Sequence, residues 1–256
     1  MQLLPGADPF THDGSATGVL LCHGFTGSPQ SLRPWAEHLA AAGHTVRLPL
    51  LPGHGTRWQD MQHTGWQDWY AEVDRELRAL RRRCERVFVC GLSMGGALAL
   101  RLAARHGEAV VGLALVNPAL TFPRLQGYAL SVLRHLVPST RGLVSDIAMP
   151  GREEVGYPRV PLRAAHSLRA LLALVREELP RVTQPLLLMH SRVDHVVPPR
   201  DSALVRAVVG SAEVRELVLE ASFHVATLDN DAQRIFQETD AFMTRLATRK
   251  TARDGT

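Results

Sequence analysis

Val87-Phe-Val-Cys90 runs without a break into Gly91-Leu92-Ser93-Met94-Gly95-Gly96, and a helical pattern follows at once over residues 94–106. A short apolar run bounded by turn residues reads as a buried strand. The stretch is therefore strand, tight turn and helix, with a serine at the turn. Cβ atoms at positions 91 and 95 would collide with neighbouring backbone, and Ser93 is expected in strained φ/ψ. That turn lifts Ser93 Oγ clear of the sheet, at a helix N-terminus where developing negative charge is favoured. With 20 glycines and 12 serines in 256 residues, G-x-S-x-G arises by chance roughly 0.07 times. The context carries the reading more than the pentapeptide does.

Working outward, further strands are read at Gly18–Cys22, Thr45–Leu50, Val110–Val116, Pro185–His190 and Arg215–Leu219. Helical spacing covers 28–42, with Ser28 as N-cap and Gly43 as stop, then 67–83, 94–106 closed by Gly107, and 231–247. Strand and helix alternate, which argues for an α/β fold on a mostly parallel sheet. From about Thr121 to Pro180 no strand is read, only Leu/Val-rich helical patterns. Sixty residues are too many for a loop, so a helical cap is expected at about 121–180. The expectation is one domain, 1–256, with an inserted cap.

A serine hydroxyl needs a base and an orienting acid. In chain order Ser, acid, His, Asp194 follows strand 185–190 and His224 follows strand 215–219. Both then sit at the strand ends where Ser93 is displayed. A caught oxyanion needs two N–H donors: Met94, the residue after the nucleophile, and Phe25 in His23-Gly24-Phe25-Thr26-Gly27. The Phe25 ring is read as an acyl-pocket wall, and His23 as a brace for its loop. Among the twelve histidines, His190 reads as packing, while His166 and His195 lack the strand-end placement. Asp201 reads as a helix N-cap neighbour.

Composition narrows the field. About 45% hydrophobic and 21% charged residues suit a large core and exclude a disordered chain. The net charge of +4 rests almost wholly on arginine, with Lys250 alone as lysine. The densest basic run, Arg75 to Arg86, alternates with Glu72, Asp74, Glu76 and Glu85, as an ion-paired helix face does. No nucleic-acid partner is expected. Cys22, Cys84 and Cys90 lack metal or disulfide spacing and read as buried hydrophobes. No apolar run spans a bilayer and MQLLPGADPF lacks a signal-peptide pattern, so neither stable membrane anchoring nor export is expected, and the chain is read as cytoplasmic. Trp58, Trp66 and Trp69 are read as packing beneath the Gly53–Thr56 loop.

The set HGFTG (23–27), GHGT (53–56), GLSMGG (91–96), DHVVPP (194–199) and FHVATLDND (223–231) resembles the serine carboxylesterases of the α/β-hydrolase superfamily, within them the small thermostable carboxylesterase and monoacylglycerol lipase group. The resemblance covers essentially the whole chain. It implies an eight-strand-type sheet lacking a first strand or two, a small helical cap, a Ser93–Asp194–His224 triad, the Phe25 and Met94 amides as oxyanion hole, and no metal or cofactor. In the monoacylglycerol lipases a cap glutamate follows a tyrosine and reads glycerol hydroxyls. Here Pro158 follows Tyr157; Tyr157 stays a substrate-binding candidate, Glu153 and Glu154 are the available substitutes, and a general carboxylesterase is favoured over a dedicated monoacylglycerol lipase. The expected activity is hydrolysis of short- to medium-chain carboxylic esters, monoacylglycerols among them, on a Leu-rich apolar acyl site (Leu130, Leu133, Leu136, Leu143, Leu168, Leu171, Leu172). The same triad serves acyltransferases, amidases and carbon–carbon bond hydrolases, and a non-catalytic receptor of this fold is a further alternative.

Overall fold

Seven strands form one sheet in the order β1-β3-β2-β4-β5-β8-β9 in the computed structural model, which describes residues 2–122, 130–143 and 145–253 and side chains through residue 248. The strands are β1 (Phe10–His12), β2 (Thr17–Cys22), β3 (Thr45–Leu48), β4 (Arg86–Leu92), β5 (Gly112–Val116), β8 (Leu186–Ser191) and β9 (Val214–Leu219). Only β1 is antiparallel to its neighbour; the others are parallel. The helices are α1 (Arg33–Ala41), the single turn α2 (Trp58–Met61), α3 (Trp66–Arg81), α4 (Met94–His106), α5 (Leu162–Glu178), α6 (Arg200–Val208) and α7 (Ala232–Arg253). A separate antiparallel ribbon pairs β6 (Ser139–Arg141) with β7 (Arg159–Pro161).

Both faces of the sheet are covered, which is why its strands read as continuous apolar runs rather than alternating ones. Successive residues point to opposite faces. Leu20, Val87, Val89, Leu113, Leu115, Leu186 and Leu188 enter the core shared with α3, α4 and α5. Val19, Leu21, Phe88, Ala114, Val116, Leu187 and Met189 enter the core shared with α1 and α7. The chain passes from β2 outward to β3 and then back across to β4 on the other side of β2. Strand order reverses there, and the carboxyl ends of β2 and β4 flank the crevice where such sheets hold ligands.

Three expectations need correcting. Strand β1 was not read: three residues flanked by turns carry too little pattern to register. The β6–β7 ribbon lies inside the stretch read as strandless, because its three-residue strands are partly exposed and end at Pro161. Ser28 flanks a 3-10 turn at Pro29–Leu32 in extended backbone, yet its hydroxyl makes no capping bond. Part of the expected cap, residues 123–129 and 144, lies outside the described residues. Gly107 does close α4, with φ +53. The basic run is ion-paired as expected, Arg75 with Glu72 and Glu76, Arg78 with Asp74, and Arg83 with Asp13. Asp201, fully buried in the first turn of α6, accepts the N–H groups of Leu120 and Thr121 and the Thr121 hydroxyl, so it anchors the chain where it leaves the sheet. Trp69 lies under the Gly53–Thr56 loop and donates to the Pro52 carbonyl at 3.1 Å. No described helix is long and apolar enough to cross a membrane.

His23 is fully buried and wired as a neutral ring: Nδ1–H donates to the Gly24 carbonyl and Nε2 accepts the Leu51 N–H. A second proton would oppose that N–H, and burial lowers the group to about 4. Its folded value lies below its unfolded one. The stability it contributes is therefore present above about pH 6.5 and is lost as pH falls toward 4, an order-of-magnitude loss of ~3 kcal/mol. Burial moves the neighbouring His54 in the same direction. Urea midpoints measured from pH 7.5 down to 4 should fall steadily through this window, above the range where exposed carboxylates titrate. A flat profile would contradict the neutral wiring.

Candidate active site

Ser93 stands at φ +56 and ψ −120, in the left-handed half of φ space that a non-glycine residue rarely occupies. The strain is enforced by packing on either side. A Cβ at Gly91 would lie 2.4 Å from the Gly95 carbonyl oxygen, and one at Gly95 would lie 1.8 Å from the Cys22 carbonyl oxygen. The turn is also tied to its neighbour strand, since Ser93 N–H donates to the Val116 carbonyl at 3.0 Å. Met94 opens α4, so its N–H belongs to the unpaired first turn. Among the described residues, neither that N–H nor that of Phe25 finds an acceptor within the chain.

Asp194 and His224 come together from two loops. His224 Nδ1 lies 2.8 Å from Asp194 Oδ2, with side chains 9% and 2% exposed. The other carboxylate oxygen, Asp194 Oδ1, accepts the N–H groups of Val196 and Val197. A donor on each oxygen fixes the carboxylate plane, so the imidazole is aimed rather than merely nearby. Asn117, missed in the sequence, braces the same pair. It sits at φ +45 after β5, donates from Nδ2 to the His224 carbonyl at 2.8 Å, and accepts the Ser191 N–H at 2.7 Å. An isolated asparagine after a strand carries no sequence signal of such a role.

Ser93 and His224 both open onto one cavity of about 720 Å³. Phe25, Leu130, Val160, Leu168 and Leu172 give it apolar walls, and Leu133 and Leu143 stand at its exposed rim. Of the other leucines expected there, Leu171 is buried in the core and Leu136 is 75% exposed. Tyr157 is placed elsewhere. Its hydroxyl donates to the Gly53 carbonyl and accepts the Thr56 N–H, and its backbone N–H donates to the Thr26 carbonyl, so it is a brace between two loops and not among the described residues lining the cavity.

Glu154 does line the cavity. Its backbone N–H donates to Ser145 Oγ at 2.8 Å. Its Oε1 occupies the space a Cβ on Gly27 would need, 2.6 Å away. Burial pushes the carboxyl above the usual carboxylate range, against the opposing pull of His224. A carboxyl that keeps its proton can both donate and accept a hydrogen bond. Among the described residues no group of three or more His, Cys, Asp or Glu is arranged to hold a metal ion.

Comparison with known proteins agrees with this architecture. The family described as serine aminopeptidase, S33, matches residues 15–231. The thermostable monoacylglycerol lipase of Bacillus sp. (strain H-257) is 38% identical over 245 residues, covering 96% of this chain and 97% of its own length. The carboxylesterase of Bacillus subtilis (strain 168) is 26% identical over 239 residues, covering 93% and 96%. Among solved structures, one from the work on LipS and LipT, two metagenome-derived lipolytic enzymes, superposes with a TM-score of 0.93 at 43% identity, covering 95% of this chain and all of that one.

Proposed function

The chain belongs to the serine-hydrolase family described as serine aminopeptidase, S33, with the α/β-hydrolase fold, and on that premise we propose that it hydrolyses carboxylic esters through an acyl-enzyme on Ser93. The observation that carries this reading is the 2.8 Å His224–Asp194 pair, whose histidine opens on the same cavity as the strained serine. His224 Nε2 takes the hydroxyl proton as Ser93 Oγ bonds to the ester carbon, while Asp194 holds the ring tautomer. The carbonyl electron pair moves to oxygen, which the N–H groups of Phe25 and Met94 stabilise. Collapse breaks the bond to the alcohol, which leaves with the proton from His224. A water deprotonated by the same ring then bonds to the acyl carbon, the bond to Ser93 Oγ breaks, and Oγ takes the proton back from His224 as the acid leaves.

In this reading residues 1–256 form one catalytic domain and about 121–180 its cap. The apolar walls take a short- to medium-chain acyl group. Glu154, at the polar side of the cavity, hydrogen-bonds a free hydroxyl on the leaving alcohol, as in a monoacylglycerol. That activity is the one named for the Bacillus relative of 38% identity.

The test is a panel of p-nitrophenyl esters, acetate to palmitate, beside monoacylglycerols, on wild type and Glu154→Ala. Wild type should turn over both groups. The alanine variant should lose about tenfold in kcat/KM on monoacylglycerols, the scale of one hydrogen bond to a buried polar group, and little on p-nitrophenyl esters. Equal loss on both would remove Glu154 as the alcohol reader. No ester turnover by wild type would sink the whole reading.

A further inference from the structure

We propose that Asp146, carried on the segment between β6 and β7, is a positioning residue that holds the acid and base loops in register. The inference rests on the reading of Asp194 and His224 as the acid and base. Asp146 Oδ2 accepts two backbone N–H groups, that of His224 at 3.2 Å and that of His195 at 3.2 Å. A single oxygen thus bridges the base itself and the residue immediately after the acid. The other oxygen, Oδ1, lies 2.8 Å from His195 Nδ1. The His195 ring in turn stands edge-on to Phe223, with centroids 4.7 Å apart.

The Asp146 carboxylate is only 9% exposed and sits in the cavity wall. Its backbone carbonyl accepts the Val225 N–H at 3.0 Å, so the peptide N–H groups before and after the His224 side chain are both held by one residue. Asp229 staples the same two segments a second time, accepting the N–H groups of Ala148, Met149 and Phe223. Asp229 alone could join the segments mechanically. What Asp146 adds is aim, because it, and not Asp229, holds the backbone N–H of His224 itself and that of His195, the residue after the acid. Within Asp194, Glu154 and Asp146, the three carboxyl groups disposed about His224, only Asp146 touches its backbone. The segment therefore shapes the acyl site and sets the base in one piece.

The experiment measures the rate at which a fluorophosphonate labels Ser93, per folded molecule. In that reaction Oγ forms the bond to phosphorus, fluoride leaves, and the serine proton passes to His224. The rate reports on the base without any ester being turned over. Asp146→Ala should slow labelling by roughly 10²-fold, the cost of misplacing a catalytic group by about 1 Å, with the melting temperature near that of wild type. Asp146→Asn keeps one oxygen for the two amide N–H groups and should recover most of the rate. His195→Ala, on a half-exposed side chain, frees the carboxylate to rotate and should cost about fivefold. If Asp146→Ala does not fold, His195→Ala decides. Labelling at the wild-type rate in the folded variants would overturn the proposal. Slowed labelling in a protein that hydrolyses no ester would retain Asp146 and reject the ester reading.

Discussion

Ser93→Ala is expected to lower ester turnover by roughly 10⁶-fold while leaving the fold unchanged, because removal of a triad nucleophile costs about as much as removing the whole triad. The backbone strain at φ +56 is the same for alanine as for serine. The Ser93 bonds that hold the turn are backbone bonds, to the Val116 carbonyl and from Gly96 and Ala119. Thermal unfolding should therefore match wild type. Asp194→Asn is expected to cost about 10⁴-fold. The amide oxygen can keep the two N–H groups of Val196 and Val197, but the NH₂ group then faces His224 Nδ1 and selects the wrong tautomer. On the proposed mechanism the residual rate in both variants comes from the amides of Phe25 and Met94 and from binding. Ester hydrolysis by purified Ser93→Ala above about 1% of wild type would remove Ser93 as nucleophile, since such a loss is only ~2.7 kcal/mol of barrier.

The difference between what was legible in the chain and what was not is physical. Buried strands announce themselves because both faces need apolar side chains, and Val87 to Cys90 or Leu186 to Met189 could hardly read otherwise. The elbow is legible because only glycine survives at 91 and 95. Asp194 and His224 follow from their order and strand-end placement, which the fold turns into a 2.8 Å contact across 30 residues. Residues whose role lies in bridging are silent. Asp146 and Asn117 act through backbone groups of distant loops, and a backbone N–H leaves no mark on its partner's identity. The placement of Tyr157 is illegible for a related reason. Its place next to a motif position suggested the cavity, but its hydroxyl satisfies the Gly53–Thr56 loop instead. Glu154 could be named only as one of two adjacent glutamates, and it is the gap left by Gly27 that admits its carboxyl.

Gly95→Ala is expected to disable both folding and catalysis, although helix propensity alone says the reverse. Alanine in the first turn of a helix such as α4 ordinarily gains up to ~1 kcal/mol over glycine. Here the added Cβ would sit 1.8 Å from the Cys22 carbonyl oxygen, 2.4 Å from its carbon and 2.8 Å from the His23 carbonyl oxygen. All three atoms are backbone at the end of β2, so no side chain can swing aside. The start of α4 must retreat by about 1 Å, and close packing turns such a shift into strain of about 3 kcal/mol or more. The retreat has a chemical consequence as well. Ser93 and the Met94 N–H ride on α4, while the Phe25 N–H belongs to the loop leaving β2, so the two donors proposed for the oxyanion part. Losing one donor's alignment costs about 10²-fold or more in kcat. Gly107→Ala is the matched control: at φ +53 and ψ −125 it meets nothing within 4 Å, so it should cost only ~1–3 kcal/mol of backbone strain and leave kcat untouched. Chemical denaturation and initial rates on the two variants separate the cases. A Gly95→Ala protein with wild-type stability and wild-type kcat would show that β2 and α4 are not packed backbone to backbone at the elbow.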